Sequence, residues 1–167
     1  MNILEADRTR YGTSKMPKFH YYFRKAQQDG PFKLFNKFIF IKEREKRNID
    51  LAVDAKIGPG LYFGHPSGIT INSHAVIGKN CNINKGVTIG RENRGSRKGC
   101  PTIGDEVWIG ANATVVGAVN IGSDVLIAPN SFVNFDVPDH SIVIGNPGKI
   151  ISRPNATADY ISNKAEV

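Results

Sequence analysis

Of the four histidines in the chain, one stands where a proton-transfer group would be wanted. His65 lies in Gly64-His65-Pro66-Ser67-Gly68, wedged between the apolar residues Phe63 and Ile71. Imidazole ionises near neutral pH, so it can take the proton of a hydroxyl as that oxygen attacks an electrophilic carbon. Asp50 precedes it by fifteen residues. A carboxylate placed there could accept the second ring N–H, fix the tautomer and stabilise the imidazolium. The plainer alternative is a histidine that only completes a turn beside Pro and Gly. The other three read as structural or surface groups: His20 in an aromatic run, His74 at a turn, and His140 in Val137-Pro138-Asp139-His140. A second group of interest is cationic, with Arg91, Arg94, Arg97 and Lys98 between Gly90 and Pro101 alongside Gly95 and Gly99. Such a loop can meet an anionic acceptor or phosphates, and loops carry function more often than scaffolds do; a solvated flexible loop is the alternative. Cys81 and Cys100 suggest neither a disulfide framework nor a zinc cluster.

The elements that must hold these groups are set by a repeat. Aliphatic or aromatic residues recur every six positions at Ile57 and Phe63, at Ile71, Ile77, Ile83 and Ile89, and at Ile103, Ile109, Val115, Ile121, Ile127 and Val133. Four residues after many of them comes a second inward candidate, such as Ala75, Cys81, Val87, Val107, Ala113 or Ser131. A period of six fits neither a helix nor a long alternating strand, so very short strands are expected. Three units per turn of a triangular prism would aim every sixth side chain inward, stacked on its counterpart at roughly 4.8 Å. Asn80, Asn112 and Asn130 recur at matching positions and suit tight corners. Twelve such positions predict about four coils. An antiparallel sandwich would instead space its turns by about 8 to 12 residues. The two breaks in the count fall at His65-Pro66 and at 91–101.

Residues 50 to about 153 resemble the hexapeptide-repeat acyltransferases, nearest the serine O-acetyltransferase branch and related polysaccharide O-acetyltransferases. The residues that carry the likeness are Asp50 with Lys56-Ile57-Gly58-Pro59-Gly60-Leu61, then Gly64-His65-Pro66-Ser67-Gly68-Ile69, Gly86-Val87-Thr88-Ile89-Gly90, Pro101-Thr102-Ile103-Gly104-Asp105, and Val143-Ile144-Gly145-Asn146-Pro147-Gly148-Lys149. The resemblance implies a mainly β fold, a left-handed parallel β-helix with a short helical N-terminal segment, and a homotrimer with active sites between subunits. It implies acetyl-CoA as co-substrate with no metal, His65 and Asp50 as the catalytic pair, and cofactor contacts at Gly95, Ala111, Pro129 and Lys149. Proline at 129 removes one backbone N–H from that set. Arg94, Arg97 and Lys98 become the candidate substrate-binding groups.

The chain departs from the serine branch at Gly64, where those enzymes carry Asp, and at Gly99-Cys100, where they carry Arg-His. Each lost charged partner should weaken recognition of a charged substrate by about 1.5 to 3 kcal/mol. The expected acceptor is therefore a sugar hydroxyl of a surface polysaccharide or its precursor, with serine as the alternative and an amino sugar as a further option. Two other classes stand as alternatives. A zinc enzyme like the γ-class carbonic anhydrases needs three converging histidines, and a non-catalytic β-helix scaffold would not need His65, Asp50 and the loop together.

Composition places these parts. A hydrophobic content of 40% with 22% charged residues is ordinary for a globular domain. The net charge of +7 arises in residues 1–49, which hold twelve Lys/Arg against five Asp/Glu, while the rest holds ten of each. That segment also has nine of the fifteen aromatics. It is expected to pack as helices or an arm on the β-helix of residues 50–153, leaving 154–167 as a tail. Peripheral contact with an anionic membrane is the alternative, and no nucleic-acid motif is present. No apolar run approaches the roughly 18 residues that span a bilayer. Glu5 and Asp7 precede any hydrophobic block, unlike a signal peptide, so the expected location is cytoplasmic, with the inner membrane face as the variant.

Overall fold

A computed structural model describes residues 1–167. Three helices come first: α1 (Ile3–Arg10), α2 (Lys18–Gln27) and α3 (Lys33–Glu45). Asn2 opens α1 with a reciprocal capping box to Glu5, which satisfies two otherwise orphaned N–H groups. Fifteen strands of two to four residues follow, and they form three sheets that are the faces of one coil.

The first face stacks β1 (Asp50–Leu51), β4 (Thr70–Ile71), β7 (Thr88–Gly90), β10 (Thr114–Val116) and β13 (Phe132–Val133). The second stacks β2 (Lys56–Ile57), β5 (Val76–Ile77), β8 (Thr102–Ile103) and β11 (Asn120–Ile121). The third holds β3 (Tyr62–Gly64), β6 (Asn82–Asn84), β9 (Trp108–Ile109), β12 (Val125–Ile127), β14 (Ser141–Ile144) and β15 (Lys149–Ser152). Every pairing is parallel except β14 with β15, which closes the stack antiparallel.

The register brings the repeat positions into three inward columns. Leu51, Ile71, Ile89, Val115 and Val133 form one; Ile57, Ile77, Ile103 and Ile121 the next; Phe63, Ile83, Ile109, Ile127 and Val143 the third. All are buried. The companion positions Ala75, Cys81, Val87, Val107, Ala113 and Ser131 are buried as well, as the repeat required. Each fully buried aliphatic side chain is worth about 1.5 to 3 kcal/mol, so the columns supply most of the driving force. Asn80, Asn112 and Asn130 sit at corners with positive φ of 54°, 58° and 60°.

The coil count corrects the sequence-based figure. The prism makes five coils, because Leu51 starts the first inward column one unit early. At the other end Val137 bridges to Ile121 and Val143 pairs with Ile127. Val133 to Val137 is not a six-residue step, so the fifth coil hid from the period.

The helices close the open end of the prism. Phe19 and the His20 ring pack on Phe63, with ring centroids 5.1 and 5.0 Å away, and Phe23 packs on Phe40. The tail, residues 154–167, folds back along the prism. Ala156, Thr157, Ile161 and Ala165 are buried against the third face, and Tyr160 packs on Trp108 at 5.0 Å.

Candidate active site

His65 is the first residue after β3, in the bend that carries the chain from the third face to the first, and its side chain is exposed. Its φ of 49° lies in the left-handed region, shared by nine other non-glycine residues, so this conformation belongs to the corners and is not by itself a sign of chemistry. The bend is held by Gly68 N–H donating to Arg47 O at 2.9 Å and by Asp50 N–H donating to Ile69 O at 2.8 Å. Asp50 pairs with Thr70, so it enters the same corner one coil earlier. No hydrogen bond joins the Asp50 and His65 side chains within the chain. Both stand open to the surface.

The corner below His65 recurs in each coil, and hydrogen bonds stitch it into a continuous edge. Gly86 N–H donates to Ser67 O, Asn112 N–H to Lys85 O, Asn130 N–H to Ala111 O and Phe132 N–H to Gly145 O, all at 2.9 to 3.0 Å. Ala111 and Pro129 therefore lie on His65's edge, two and three coils along. Lys149 follows the last corner. At roughly 4.8 Å per coil, this edge runs about 19 Å from His65 to Lys149. Ala111 N–H has no acceptor within the chain, whereas Pro129 has no N–H to offer. The residues along the edge thus present free donors, Ala111 N–H among them, and exposed cations at Lys85 and, at the far end, Lys149, which suits a long ligand bearing phosphates.

The cationic loop leaves a different edge, between the first and second faces. Glu92 and Gly99 pair as a short antiparallel bridge, Glu92 Oε1 accepts from the N–H groups of Asn93 and Arg94, and Ala118 N–H donates to Arg97 O at 2.9 Å. Residues 91–98 are exposed. Within one chain the structure does not bring Arg94, Gly95, Arg97 or Lys98 to His65. Cys100 is half-buried, its thiol directed at Asn72 Oδ1 at 3.3 Å.

The remaining histidines are committed elsewhere. His74 is exposed at a corner, and His140 Nδ1 lies 2.8 Å from Asp124 Oδ2. His20 is fully buried in a network under the helices. Phe63 N–H donates to Tyr11 Oη, Tyr11 Oη lies 3.0 Å from His20 Nδ1, and His20 Nε2 lies 2.9 Å from Asp7 Oδ2. Assigning the imidazole proton to Nε2 satisfies this whole relay. Asp7 also takes Arg24 Nε at 2.6 Å and Leu61 N–H at 2.8 Å. Burial opposes the charge of Asp7, but His20 and Arg24 hold its carboxyl below the usual range; burial likewise keeps His20 below its ordinary value. No three His, Cys, Asp or Glu side chains converge within the chain as a metal site would require.

Sequence reasoning missed a polar groove on the third face. Tyr62, Asn82 and Trp108 occupy its outward positions, and Tyr160 meets them from the tail. The outward alternation of Tyr62 and Trp108 with the inward Phe63 and Ile109 was a legible signal, but the contribution of Tyr160 was not.

The likenesses to known proteins follow the same coil. A serine acetyltransferase of Arabidopsis thaliana is 41% identical over 103 residues, which are 62% of this chain and 29% of that protein. The crystal structure of the Neisseria gonorrhoeae serine acetyltransferase superposes with a TM-score of 0.71 at 30% identity, over 95% of this chain and 68% of that one. A serine acetyltransferase solved in complex with CoA superposes with a TM-score of 0.64 at 28% identity, over 80% of this chain and 54% of that one. The chain spans only 29% to 49% of the length of the curated relatives it matches. The backbone shared with these structures is a left-handed parallel β-helix. A bacterial transferase hexapeptide model of six repeats matches residues 100–134, from β8 to β13. Its repeat, its register and a neighbour of which it spans more than two thirds lead to one conclusion: the chain belongs to the hexapeptide-repeat transferase family.

Proposed function

We propose that the chain is an acetyl-CoA-dependent O-acetyltransferase that uses His65 as general base. The observation that carries this reading is the single edge on which His65, Ala111, Pro129 and Lys149 succeed one another. Acetyl-CoA lies along it with its phosphates toward Lys149 and its thioester toward His65. His65 takes the proton of the acceptor hydroxyl while that oxygen attacks the thioester carbonyl. The tetrahedral intermediate collapses with cleavage of the C–S bond, and the CoA sulfur leaves with the proton returned from the imidazolium. An acetyl ester and free CoA thiol result. Asp50 steadies the imidazolium as the neighbouring subunit closes the corner. Arg94, Gly95, Arg97 and Lys98 reach the site from that neighbour, because their own His65 lies across another edge; this reading makes the working form a homotrimer.

The relatives' names favour a serine hydroxyl as acceptor over the sugar expected from the sequence. A sugar hydroxyl stays as the second reading on one observation: Gly64 leaves no carboxylate beside His65 to hold an ammonium, and a Cβ there would stand 2.2 Å from Asn84 Oδ1. Release of CoA thiol from acetyl-CoA, measured with serine, hexoses, amino sugars and oligosaccharides in parallel, tests both. Release with serine alone retires the sugar, release with a saccharide alone retires serine, and release with none overturns the transferase reading.

Phe32, the N-cap of α3, and Leu34, Phe35 and Phe38 on the helix are exposed beside Lys37 and beside Lys33, which pairs with Asp29 at 2.7 Å. No helix is long and apolar enough to cross a membrane. Cations beside an apolar patch favour an anionic lipid surface over a second copy of the same face. Sedimentation with phosphatidylglycerol vesicles but not phosphatidylcholine vesicles is the expected result, and Phe35→Glu with Phe38→Glu should abolish it.

A further inference from the structure

The groove on the third face has a chemistry of its own. It is an open groove of about 400 Å³, within the range of about 300 to 1,000 Å³ usual for small-molecule sites. Its walls are Tyr62 and Trp108 on the prism, Thr13 and Ser14 after α1, and Tyr160 and Asn163 from the tail. Tyr11 lines it as well; Tyr62 packs on Tyr11 at 4.7 Å and Trp108 on Tyr160 at 5.0 Å, so what the groove presents is chiefly amides, hydroxyls and ring edges.

Its only charged lining residue is Arg10, and that guanidinium is already engaged. Arg10 donates to Gly60 O at 2.7 Å, Asn82 Oδ1 at 2.6 Å and Ser162 O at 3.0 Å. No acid lines the groove. A free amino acid would leave both its charges unmatched there, and a phosphate would find no free cation. A neutral ligand with many hydroxyls fits: its hydroxyls both donate to and accept from side-chain hydroxyls and amides, and its C–H edges meet the half-exposed Tyr160.

Position ties the groove to the reacting edge. Asn84, at the end of β6, lines it and pairs with Gly64, the residue immediately before His65. Asn84 Nδ2 donates to Ile109 O at 2.8 Å, so its amide is held in place with Oδ1 over the spot a side chain at 64 would fill. From these observations we infer that the third-face groove is a saccharide-binding site that holds a neutral pyranose unit next to His65. The inference rests on the sugar-acceptor reading for its role in transfer, and on the groove alone for binding.

The chain's single tryptophan, Trp108, lies in the groove and reports on it directly. The 167-residue chain is titrated with methyl glycosides and tetrasaccharides of glucose, galactose and mannose while Trp108 emission is followed, with CoA thiol release measured on the same samples. At least one saccharide should give a saturable change that serine does not. Tyr160→Ala should weaken that response about 2- to 10-fold, the worth of one aromatic contact, and Tyr160→Phe should largely keep it. Asn84→Ala should weaken it too, whereas His65→Ala should leave it intact. Absence of any response at millimolar saccharide, with acetyl transfer to serine intact, overturns the groove assignment and spares the transferase reading. A saturable response without thiol release to any acceptor upholds the groove and removes the transferase reading. A response accompanied by transfer only to serine upholds binding and removes the sugar as acceptor.

Discussion

At the scale of single residues, the reading turns on His65 and Asp50. Replacing His65 by Ala should lower turnover roughly 10²- to 10⁴-fold, the usual worth of a general base, with acetyl-CoA binding unchanged by isothermal titration. Unchanged turnover would remove His65 from the mechanism. On the proposed role, in which the carboxylate would act through the imidazole and touch neither substrate, Asp50→Asn should lower kcat with little change in KM for acetyl-CoA. His65 was legible in the sequence because it breaks a strict count between Phe63 and Ile71, and Asp50 because it begins the coil that ends at the histidine. The groove was legible only on its prism side, at Tyr62 and Trp108; Tyr160 joins them only after residues 154–167 fold back across the prism, and no local pattern announces that return. The buried set of Asp7, His20 and Arg24 was equally hidden, since each residue taken alone reads as an ordinary member of a basic amphipathic segment.

At the scale of elements, two attachments decide stability. Asp124, at a corner of the fourth coil, accepts from Ala156 N–H, Thr157 N–H and Thr157 Oγ1 at 2.8 to 3.1 Å, pinning the tail. Burial pushes its carboxyl upward, but the hydrogen bonds from His140, Thr157 and Ala156 more than reverse this and bring it to about 2. The folded value lies below the unfolded one, so the stabilisation is complete above about pH 4 and is lost as the pH falls through about 2. Asp124→Ala should cost about 2 to 3 kcal/mol at neutral pH, read from urea denaturation, and should flatten the acid limb of stability between about pH 4 and 2. The second attachment is Arg24, which bonds Asp7, Ile57 O and Gly58 O from α2. Arg24→Ala leaves a buried carboxylate short of a partner and should cost about 3 to 5 kcal/mol. The prism itself was readable because its inward positions keep one period. The helical cap and the tail follow contacts between residues far apart in sequence, such as Arg24 with Ile57, which no period encodes.

At the scale of the whole molecule, the separation of His65 and the cationic loop on different edges has a measurable consequence. If each site takes its histidine from one subunit and its loop from the next, two inactive variants should repair each other. His65→Ala mixed with the triple variant Arg94→Ala, Arg97→Ala and Lys98→Ala, unfolded and refolded together, should regain part of the activity that neither has alone. No recovery from assemblies shown by mass spectrometry to be mixed would place the loop outside the reacting site. The tail bears on a different property. A stack of repeats that touch only their neighbours tends to fray from its ends and melt in stages. Here one segment is tied to Asp124 in the fourth coil and then to Asn80 in the second, through Ala165 N–H to Asn80 Oδ1 at 2.9 Å and Asn80 Nδ2 to Ala165 O at 3.1 Å. With the helices locking the first coil, this cross-tie couples coils that do not touch, and the prism is expected to lose its structure in one cooperative step, its central amides exchanging with solvent at a common rate.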